Sequence, residues 1–543
     1  MANKTLLIQG RKTKEQTLTT LGGGIEPFAG EWNWENAAHL LKRSSFGPTY
    51  EEIQQSVVDG LDKTINNLFA PQPEPDLPIN FYFKNDPEVP IGETWVGKPT
   101  TRDVKGLIPA RNASLSAWSI GLMYDKPMNV LEKLILFWHN HLVVSNIFGP
   151  ESKLQYLGVL RKYALGDFKQ MVKDITISPA MLEYLNGNEN TAKSPNENYA
   201  REVLELFTIG KGPIIAPGDY TNYTENDIQE IARAFTGWKF VPRRGTVTFL
   251  SRNHDTGTKQ LSEHFNNAVI PNLGDKEYEK VIDIIFEQEE VSRFIVRQLY
   301  IWYVNSDISS DIEISIIEPL AQIFRDNDYH VEPVLKALFK SAHFYASCNK
   351  GVMVKSPIDY VLMTLRTGRL TEQQDILRKY NIWAAISRVL RSMEQMMFFL
   401  PSVAGWQAYY QEPVYYRYWI SSVSLSLRDE FMKAVVQRKL RGRGLKDMGL
   451  ELLDLIALFE NPDNPDELLR ALSQLFMPFE LTDEQIAFLK TEILIPGLPD
   501  YEWTEEYGNY LDDPTNEDLR NAVLGRLQAV VSVMLSMPEN QLM

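Results

Sequence analysis

The sequence predicts a mainly α-helical fold: a large multi-helix structure with one small β-hairpin near residues 239–250. Helical periodicity fills most of the long segments, as amphipathic helices require. Apolar residues make up 44% of the 543 residues and charged residues 23%, a mixture typical of a chain with a large buried core. Only residues 239–241 and 246–250 look like paired short strands, joined by a turn that contains Pro242 and Gly245.

Local signals place the first elements. Residues 34–43 show the helical period. Thr49 with Glu52 forms a capping box, in which each side chain satisfies a backbone N–H of the other, so a second helix begins there. Residues 71–112 are rich in Pro, Asn and Gly and are predicted to be a long irregular excursion.

The middle of the chain carries two further helix starts. Ser194, Pro195 and Glu197 predict a helix over residues 194–209, because Ser caps, Pro fits the first position and Glu reaches back to a free N–H. Thr224 caps the next helix. Periodicity predicts the other helices at 113–124, 128–147, 152–165, 167–176, 178–185, 290–305, 311–325, 331–341, 356–367, 372–397, 420–440, 447–459, 465–476, 482–492 and 515–535.

Three regions are predicted along the chain. Residues 1–33 form an N-terminal extension, and residues 34–400 form the main helical domain. Residues 401–543 form a C-terminal helical region with aromatic and acidic segments. We place the second boundary where an irregular aromatic stretch follows the long helical pattern.

Composition excludes several classes of protein. The net charge is −16, from 55 Lys and Arg against 71 Asp and Glu, which argues against nucleic acid as a partner because phosphate contacts need a basic surface. The single cysteine, Cys348, excludes an intrachain disulfide framework and Cys-rich metal sites. The sequence contains no run of 18 apolar residues, so no membrane-spanning helix is predicted. Residues 1–20 lack the apolar stretch of a signal peptide, which predicts a cytoplasmic protein.

The first candidate cluster is the histidine pair His139 and His141. On one helix over residues 128–147 the two rings would lie about 200° apart, each among apolar residues, so a shared metal ion is hard to hold. Either the helix ends before Asn140, or only one histidine is a ligand. The alternative is a pair of core histidines, each hydrogen-bonded to backbone or carboxylate.

The second cluster lies on the helix predicted at 194–209. Asn198, Glu202 and Glu205 share one face of this helix, and two carboxylates with an amide suit a hard cation or acid–base chemistry. The alternative is a solvated stripe, in which Arg201 pairs with Glu197 and Glu205 at helical spacing.

The third cluster follows the predicted hairpin. His254, Asp255 and Lys259 lie within six residues, on a loop that contains Gly257. Loops on rigid scaffolds often carry sites. The alternative is a turn whose side chains cap its own backbone. Elsewhere, Glu35 and His39 form a carboxylate–histidine pair at helical spacing within a predicted helix, and we expect them at the surface.

The leading hypothesis is a metal-dependent enzyme in which the three clusters meet. His139, His141, Glu205 and His254 would bind a divalent metal of unknown identity, as mixed N and O ligands do. Catalytic roles would fall to Glu202, Glu205, His254, Asp255 and Lys259, with the lysine stabilising developing negative charge. A metal-activated water favours hydrolysis, and a redox metal would favour oxidation.

The rival hypothesis is a non-enzymatic binding or scaffold protein. Aromatic residues crowd the stretch 406–419, and Trp406, Tyr409 and Tyr410, with Asn198, are the predicted binding residues. Aromatic side chains are enriched in binding hot spots. They also pack irregular segments onto a core, and their exposure discriminates the two readings.

The chain resembles a bacterial family called domain of unknown function 1800. The matching blocks, in the order that the family shows, are residues 37–49, Trp138-His139-Asn140-His141, 196–206, 223–238, 254–259 and later Lys355-Ser356-Pro357. The resemblance spans nearly the whole chain, from about residue 34 to 535.

The resemblance implies little about activity, since the family name assigns none. Its members are often exported, which gives the alternative to a cytoplasmic location. They often occur beside a companion family that resembles the alkaline phosphatase and sulfatase group, and this companion is the partner that the resemblance suggests. Two departures stand out. Phe207 occupies a position where many members carry His, and Gly405-Trp406 is not followed by the usual small glycines.

Overall fold

The computed structural model describes residues 24–100, 103–125, 128–241, 246–406, 419–440, 445 and 448–543. They are mainly helical, as predicted. The α-helices are α1 (Trp34–Ser44), α2 (Tyr50–Leu68), α3 (Leu107–Asp125), α4 (Leu131–His141), α5 (Pro150–Tyr163), α6 (Phe168–Thr176), α7 (Pro179–Tyr184), α8 (Asn198–Glu202), α9 (Glu225–Ala234), α10 (Glu277–Ile285), α11 (Glu289–Tyr303), α12 (Ser310–Ile312), α13 (Glu318–Asp326), α14 (Val331–Lys340), α15 (Pro357–Thr367), α16 (Ile376–Ser392), α17 (Ser422–Val436), α18 (Leu452–Ile456), α19 (Pro465–Phe476), α20 (Asp483–Phe488), α21 (Tyr501–Asp512) and α22 (Glu517–Ser536).

Two predicted helix starts are confirmed, because both depend on contacts three residues apart. The Thr49 side chain accepts from the Glu52 N–H at 3.2 Å, and the Glu52 carboxylate accepts from the Thr49 N–H at 2.8 Å. Thr224 and Asp227 make the same reciprocal pair at the start of α9, at 3.2 and 2.8 Å. Each box satisfies backbone donors that a helix start leaves without partners.

Two predicted helices have other bounds. The helix expected from Ser194 begins at Asn198, because Ser194 turns back to bond Thr191 while the Asn196 side chain accepts from the Asn198 N–H at 2.9 Å. This helix continues from α8 into a π-helical segment, Val203–Thr208. The helix expected over 128–147 is the shorter α4, which ends at His141.

The predicted hairpin is confirmed as β3 (Trp238–Val241) paired antiparallel with β4 (Thr246–Phe249). Its turn lies outside the described residues. Two further antiparallel pairs occur, which the sequence did not predict: β1 (Ile214–Ala216) with β2 (Asp219–Tyr220), and β5 (Lys259–Gln260) with β6 (Val269–Ile270). Pairs this short hold through tertiary packing, because a lone two-stranded ribbon is only marginally stable.

One hydrophobic core connects the described helices from α1 to α22. Buried side chains such as Leu41, Trp138, Trp406 and Trp503 belong to the same cluster, so the core crosses the predicted boundary at residue 400. The division into three regions stays a prediction. Among the described helices, none has the length and apolar character that a membrane span requires.

Candidate functional site

His139 lies on α4 and is fully buried. Its Nε2 accepts a hydrogen bond from the backbone N–H of Phe398 at 3.0 Å, so the proton of the neutral ring sits on Nδ1. Nδ1 lies 3.2 Å from the Tyr156 hydroxyl, which itself donates to the Leu142 carbonyl at 2.7 Å. Burial lowers the pKa of His139 to about 3, which keeps the ring neutral. Both ring nitrogens are therefore already used.

His141 ends α4 and faces a different part of the core. Its Nε2 donates to the carbonyl of Phe207 at 2.9 Å, and its ring stacks on Phe137 with the centroids 5.8 Å apart. Burial lowers the pKa of His141 to about 4. Its Nδ1 is buried and has no hydrogen-bond partner among the described residues. The two histidines do not share a ligand, and the reading as core histidines accounts for the contacts of both.

In the third cluster, His254 and Lys259 both contact Glu277, at the start of α10, a residue that the sequence analysis did not select. His254 Nε2 lies 3.0 Å from one oxygen of the Glu277 carboxylate, and its Nδ1 lies 3.0 Å from the Thr236 carbonyl. The Lys259 ammonium contacts the other Glu277 oxygen and the Asp255 carbonyl. His254, Lys259 and Glu277 are all buried. This is a buried ion pair extended by a histidine.

Asp255, which is partly exposed, extends this network toward the surface. Arg233 on α9 donates two hydrogen bonds to the Asp255 carboxylate, at 3.0 and 3.1 Å. The same guanidinium donates to Glu230 at 2.7 and 2.8 Å. The bonds from Arg233 hold the pKa of Asp255 below its ordinary value. His254, Asp255 and Lys259, which were predicted to be catalytic, therefore all have protein partners.

Glu202 and Glu205 form a different kind of site. Glu202 is the last residue of α8, and Glu205 lies in the π-helical segment that follows. Both are partly exposed. Among the described residues no hydrogen bond or ion pair reaches the Glu202 carboxyl. Burial, followed by the nearby charge of Glu205, raises the pKa of Glu202 to about 7.

Glu205 has the partners that Glu202 lacks. The Tyr223 hydroxyl donates to Glu205 at 3.3 Å, and the Lys211 ammonium lies 3.8 Å away. Arg201, which could have neutralised Glu205, binds Glu225 at 2.8 Å and Glu197 at 3.2 Å instead. The acidic pair therefore consists of one stabilised carboxylate and one carboxyl without a partner.

Two of the predicted binding residues, Asn198 and Trp406, lie within the described part of the chain. Asn198 is exposed at the start of α8. Trp406 is buried, its backbone N–H donates to the Asn140 side chain at 2.8 Å, and its ring contacts His139. Tyr409 and Tyr410 lie outside the described residues. The Trp406 and Trp419 rings are both buried, so these two rings pack onto the core.

Most ring nitrogens of the predicted metal ligands already have protein partners. Each ring nitrogen of His139 and His254 already has a protein partner, and the His141 Nε2 is bound to backbone. In the part of the chain that the structure describes, no three His, Cys, Asp or Glu side chains are grouped so that they could hold a metal ion. His139, His141, Glu205 and His254 do not converge on one ion there.

A family model described as "Protein of unknown function (DUF1800)" matches residues 39–542. The chain belongs to the DUF1800 family. Comparison with curated proteins and with solved structures gives no match. The family assignment confirms the resemblance seen in the sequence and adds no activity to it.

The DUF1800 sequence blocks divide between core and site. The block around His139 and His141 builds the core, and the block at 254–259 builds the network on Glu277. The block at 196–206 carries the acidic pair. Phe207, found where many members carry His, is fully buried, and only its carbonyl reaches His141.

Sequence reasoning missed two partners in these clusters. Glu277 looked like an ordinary acidic residue in the first turn of a helix, where negative charge is common. Tyr223 sits immediately before the capping box at Thr224, and that position offered a weak signal: the cap fixes the backbone that presents the hydroxyl to Glu205.

Proposed function

We propose that this DUF1800 protein is an enzyme, of hydrolase type, that uses Glu202 and Glu205 as an acid–base pair. One observation carries the proposal: the Glu202 carboxyl has no partner in the described structure, and its pKa is raised to about 7 beside a second carboxylate. A general acid or base works best when its pKa lies near the working pH. Perturbed carboxyl pairs of this kind cluster at active sites.

The roles of the two groups follow from their surroundings. Tyr223 and Lys211 stabilise the negative charge of Glu205, so Glu205 serves as the carboxylate. Glu202 carries a proton about half of the time near neutral pH and serves as the group that exchanges it. In hydrolysis one carboxylate takes a proton from water while a protonated carboxyl gives one to the leaving group.

The backbone supports the same reading. The π-helical segment Val203–Thr208 interrupts α-helical geometry directly after Glu202 and shifts Glu205 relative to it. Short π-helical insertions are rare and are frequently found at functional sites. Two more π-helical segments, Glu313–Ile317 and Leu489–Leu494, occur among the described residues, so this backbone supports the proposal only together with the carboxyl pair.

The proposal gives the other predicted catalytic residues a supporting role. His254, Asp255 and Lys259 are bound by Glu277 and Arg233, and we assign them to holding the loop after the hairpin. Metal dependence, the location in the cell and the companion protein of the alkaline phosphatase and sulfatase-like group stay predictions of the sequence and of the family resemblance.

The test is a direct titration of Glu202. Protein labelled with ¹³C at the glutamate side-chain carboxyls is titrated by NMR from pH 4 to 9, and the spectrum of Glu202→Gln identifies the Glu202 signal. We expect a midpoint near 7 that is lost in Glu202→Gln and kept in the control Glu197→Gln, whose carboxylate already binds Arg201. A Glu202 signal that titrates at its ordinary value of about 4.5 contradicts the proposal.

Activity is measured with three chromogenic substrates: nitrophenyl acetate, nitrophenyl phosphate and nitrophenyl glucoside. Each is tested with and without added Mg²⁺, Mn²⁺ or Zn²⁺. For whichever is cleaved, Glu202→Gln is expected to lower the rate about 10²- to 10⁴-fold, the usual contribution of a general acid or base. Glu197→Gln is expected to keep the wild-type rate. Equal rates for wild type and Glu202→Gln would remove Glu202 from the chemistry.

A further inference from the structure

A cavity of about 250 Å³ lies between α1 and the chain that follows α19, far along the sequence from the acidic pair. The walls combine apolar and polar side chains. Trp34, Met477 and Phe479 supply apolar surface, while His39 and Lys42 supply nitrogen atoms. His39, expected at the surface with Glu35, is in fact buried and hydrogen-bonded to the Phe344 carbonyl at 3.0 Å.

Lys42 is the unusual member of this wall. Its side chain is 4% exposed, and its ammonium donates one hydrogen bond, to the Met477 carbonyl at 2.7 Å. An ammonium has three N–H donors, so two have no partner among the described residues. No described ion pair joins Lys42 to a carboxylate, and burial lowers the pKa of Lys42 to about 7.

The surrounding charges leave Lys42 without compensation. Among the described residues, Lys355, a second buried amine, donates to the carbonyl and side-chain oxygens of Asn540, at 2.8 and 3.1 Å, and its charge opposes that of Lys42. Two acidic side chains in the cavity wall are engaged elsewhere: Glu35 binds Lys350 at 2.8 Å, and Glu480 lies 3.3 Å from Arg470. A buried charge without a counter-ion is costly, and a bound anion would relieve that cost.

We infer that this cavity binds a small carboxylic acid with an apolar body, whose carboxylate pairs with Lys42 and whose hydrocarbon part packs on Trp34, Met477 and Phe479. The volume lies just below the range of sites for drug-sized ligands, which suits a shorter molecule. One amine with two open donors matches one carboxylate, and the apolar walls distinguish this ligand from inorganic phosphate. The site is separate from the proposed acid–base pair.

Calorimetric titration with sodium hexanoate tests the inference, with hexanamide and inorganic phosphate as comparison ligands. We expect hexanoate to bind wild type with a Kd of 1 mM or lower, taking ~1 mM as the weak end of specific binding. Lys42→Met, which keeps the length of the side chain and removes its charge, is expected to weaken binding at least ~10-fold, about one step of 1.4 kcal/mol. Hexanamide and phosphate are expected to bind at least ~10-fold more weakly than hexanoate on the same scale.

Two further variants make the result specific. Lys63→Met removes an exposed lysine that pairs with Asp59 and does not line the cavity, and it is expected to bind hexanoate like wild type. Ala38→Leu fills part of the cavity while keeping Lys42, and is expected to bind it at least ~10-fold more weakly. Circular dichroism checks that each variant folds. Equal affinity of Lys42→Met and wild type, equal affinity for hexanoate and phosphate, or no heat of binding up to millimolar hexanoate would overturn the inference.

Discussion

Glu277 and Glu202 both lie on helices that pack on the same hydrophobic core, yet they differ in burial and in the partners of their carboxyl groups. Glu277 is fully buried, and each of its carboxylate oxygens faces a cationic or imidazole partner, Lys259 or His254. Glu202 is partly exposed, and no hydrogen bond or ion pair reaches its carboxyl in the described structure, although the charge of Arg201 acts on it. Removing one member of a satisfied buried pair is costly, because the other charge stays buried, whereas a carboxyl without partners has a shifted pKa and is available for chemistry.

The largest expected effect is the loss of Glu277. Glu277→Ala leaves Lys259 and His254 buried without their shared carboxylate, and breaking a buried pair in this way costs about 3–5 kcal/mol of unfolding free energy. Urea unfolding followed by circular dichroism measures the change. Glu279→Ala on the same helix removes only a surface partner of Lys276 and should cost less than about 1 kcal/mol. Equal losses in the two variants would show that the buried network is not special.

His139→Ala comes next, because His139 belongs with Glu277 on the structural side of the comparison. The change removes the acceptor of the Phe398 N–H and the partner of Tyr156 and leaves a cavity, at a cost of about 2–4 kcal/mol. Glu205→Ala, measured in the same unfolding experiment, should cost less, about 1–2 kcal/mol, because it leaves one buried donor, the Tyr223 hydroxyl, without its acceptor. A stable His139→Ala protein would argue against the reading as a core histidine.

A smaller effect, of opposite sign, is expected from Glu202→Gln. The folded protein raises the pKa of Glu202 to about 7 from its ordinary 4.5, so ionising this group costs stability as the pH rises from 4.5 through 7. The neutral Gln escapes this cost and should gain about 1–2 kcal/mol at pH 8, after allowing for solvent screening. The gain should vanish below pH 4.5. Thermal melts of wild type and variant across pH 4–8 measure it, and a gain that does not change with pH would contradict the shift.

The smallest effect is expected from Tyr223→Phe, which removes one hydrogen bond to the stabilised member of the acidic pair. The expected loss is about 0.5–1.5 kcal/mol, the usual net value of a single hydrogen bond. Combining it with Glu205→Ala should give less than the sum of the two single changes, because both remove the same contact. Strict additivity in urea unfolding would show that Tyr223 and Glu205 act independently.

Much of the fold could be predicted because its signals are local. Thr49 with Glu52, and Thr224 with Asp227, are three residues apart, so a capping box can be recognised without the rest of the chain. The start of the helix at Asn198 was not predicted, because Ser194 forms a turn with Thr191 and does not cap the helix. The partners of the candidate residues could not be predicted, because Glu277 and Tyr223 lie 18 or more positions away from the residues that they contact.

The sequence by itself determined the helical class, the DUF1800 family and the β3–β4 hairpin, since periodicity, motifs and caps act over a few residues. Only the tertiary structure decided which polar groups are saturated. Glu277 meets His254 across 23 positions, and Lys42 meets the Met477 carbonyl across 435. Burial and counter-charge depend on such distant contacts, and these two quantities separate a buried ion pair from a carboxyl with a pKa near 7.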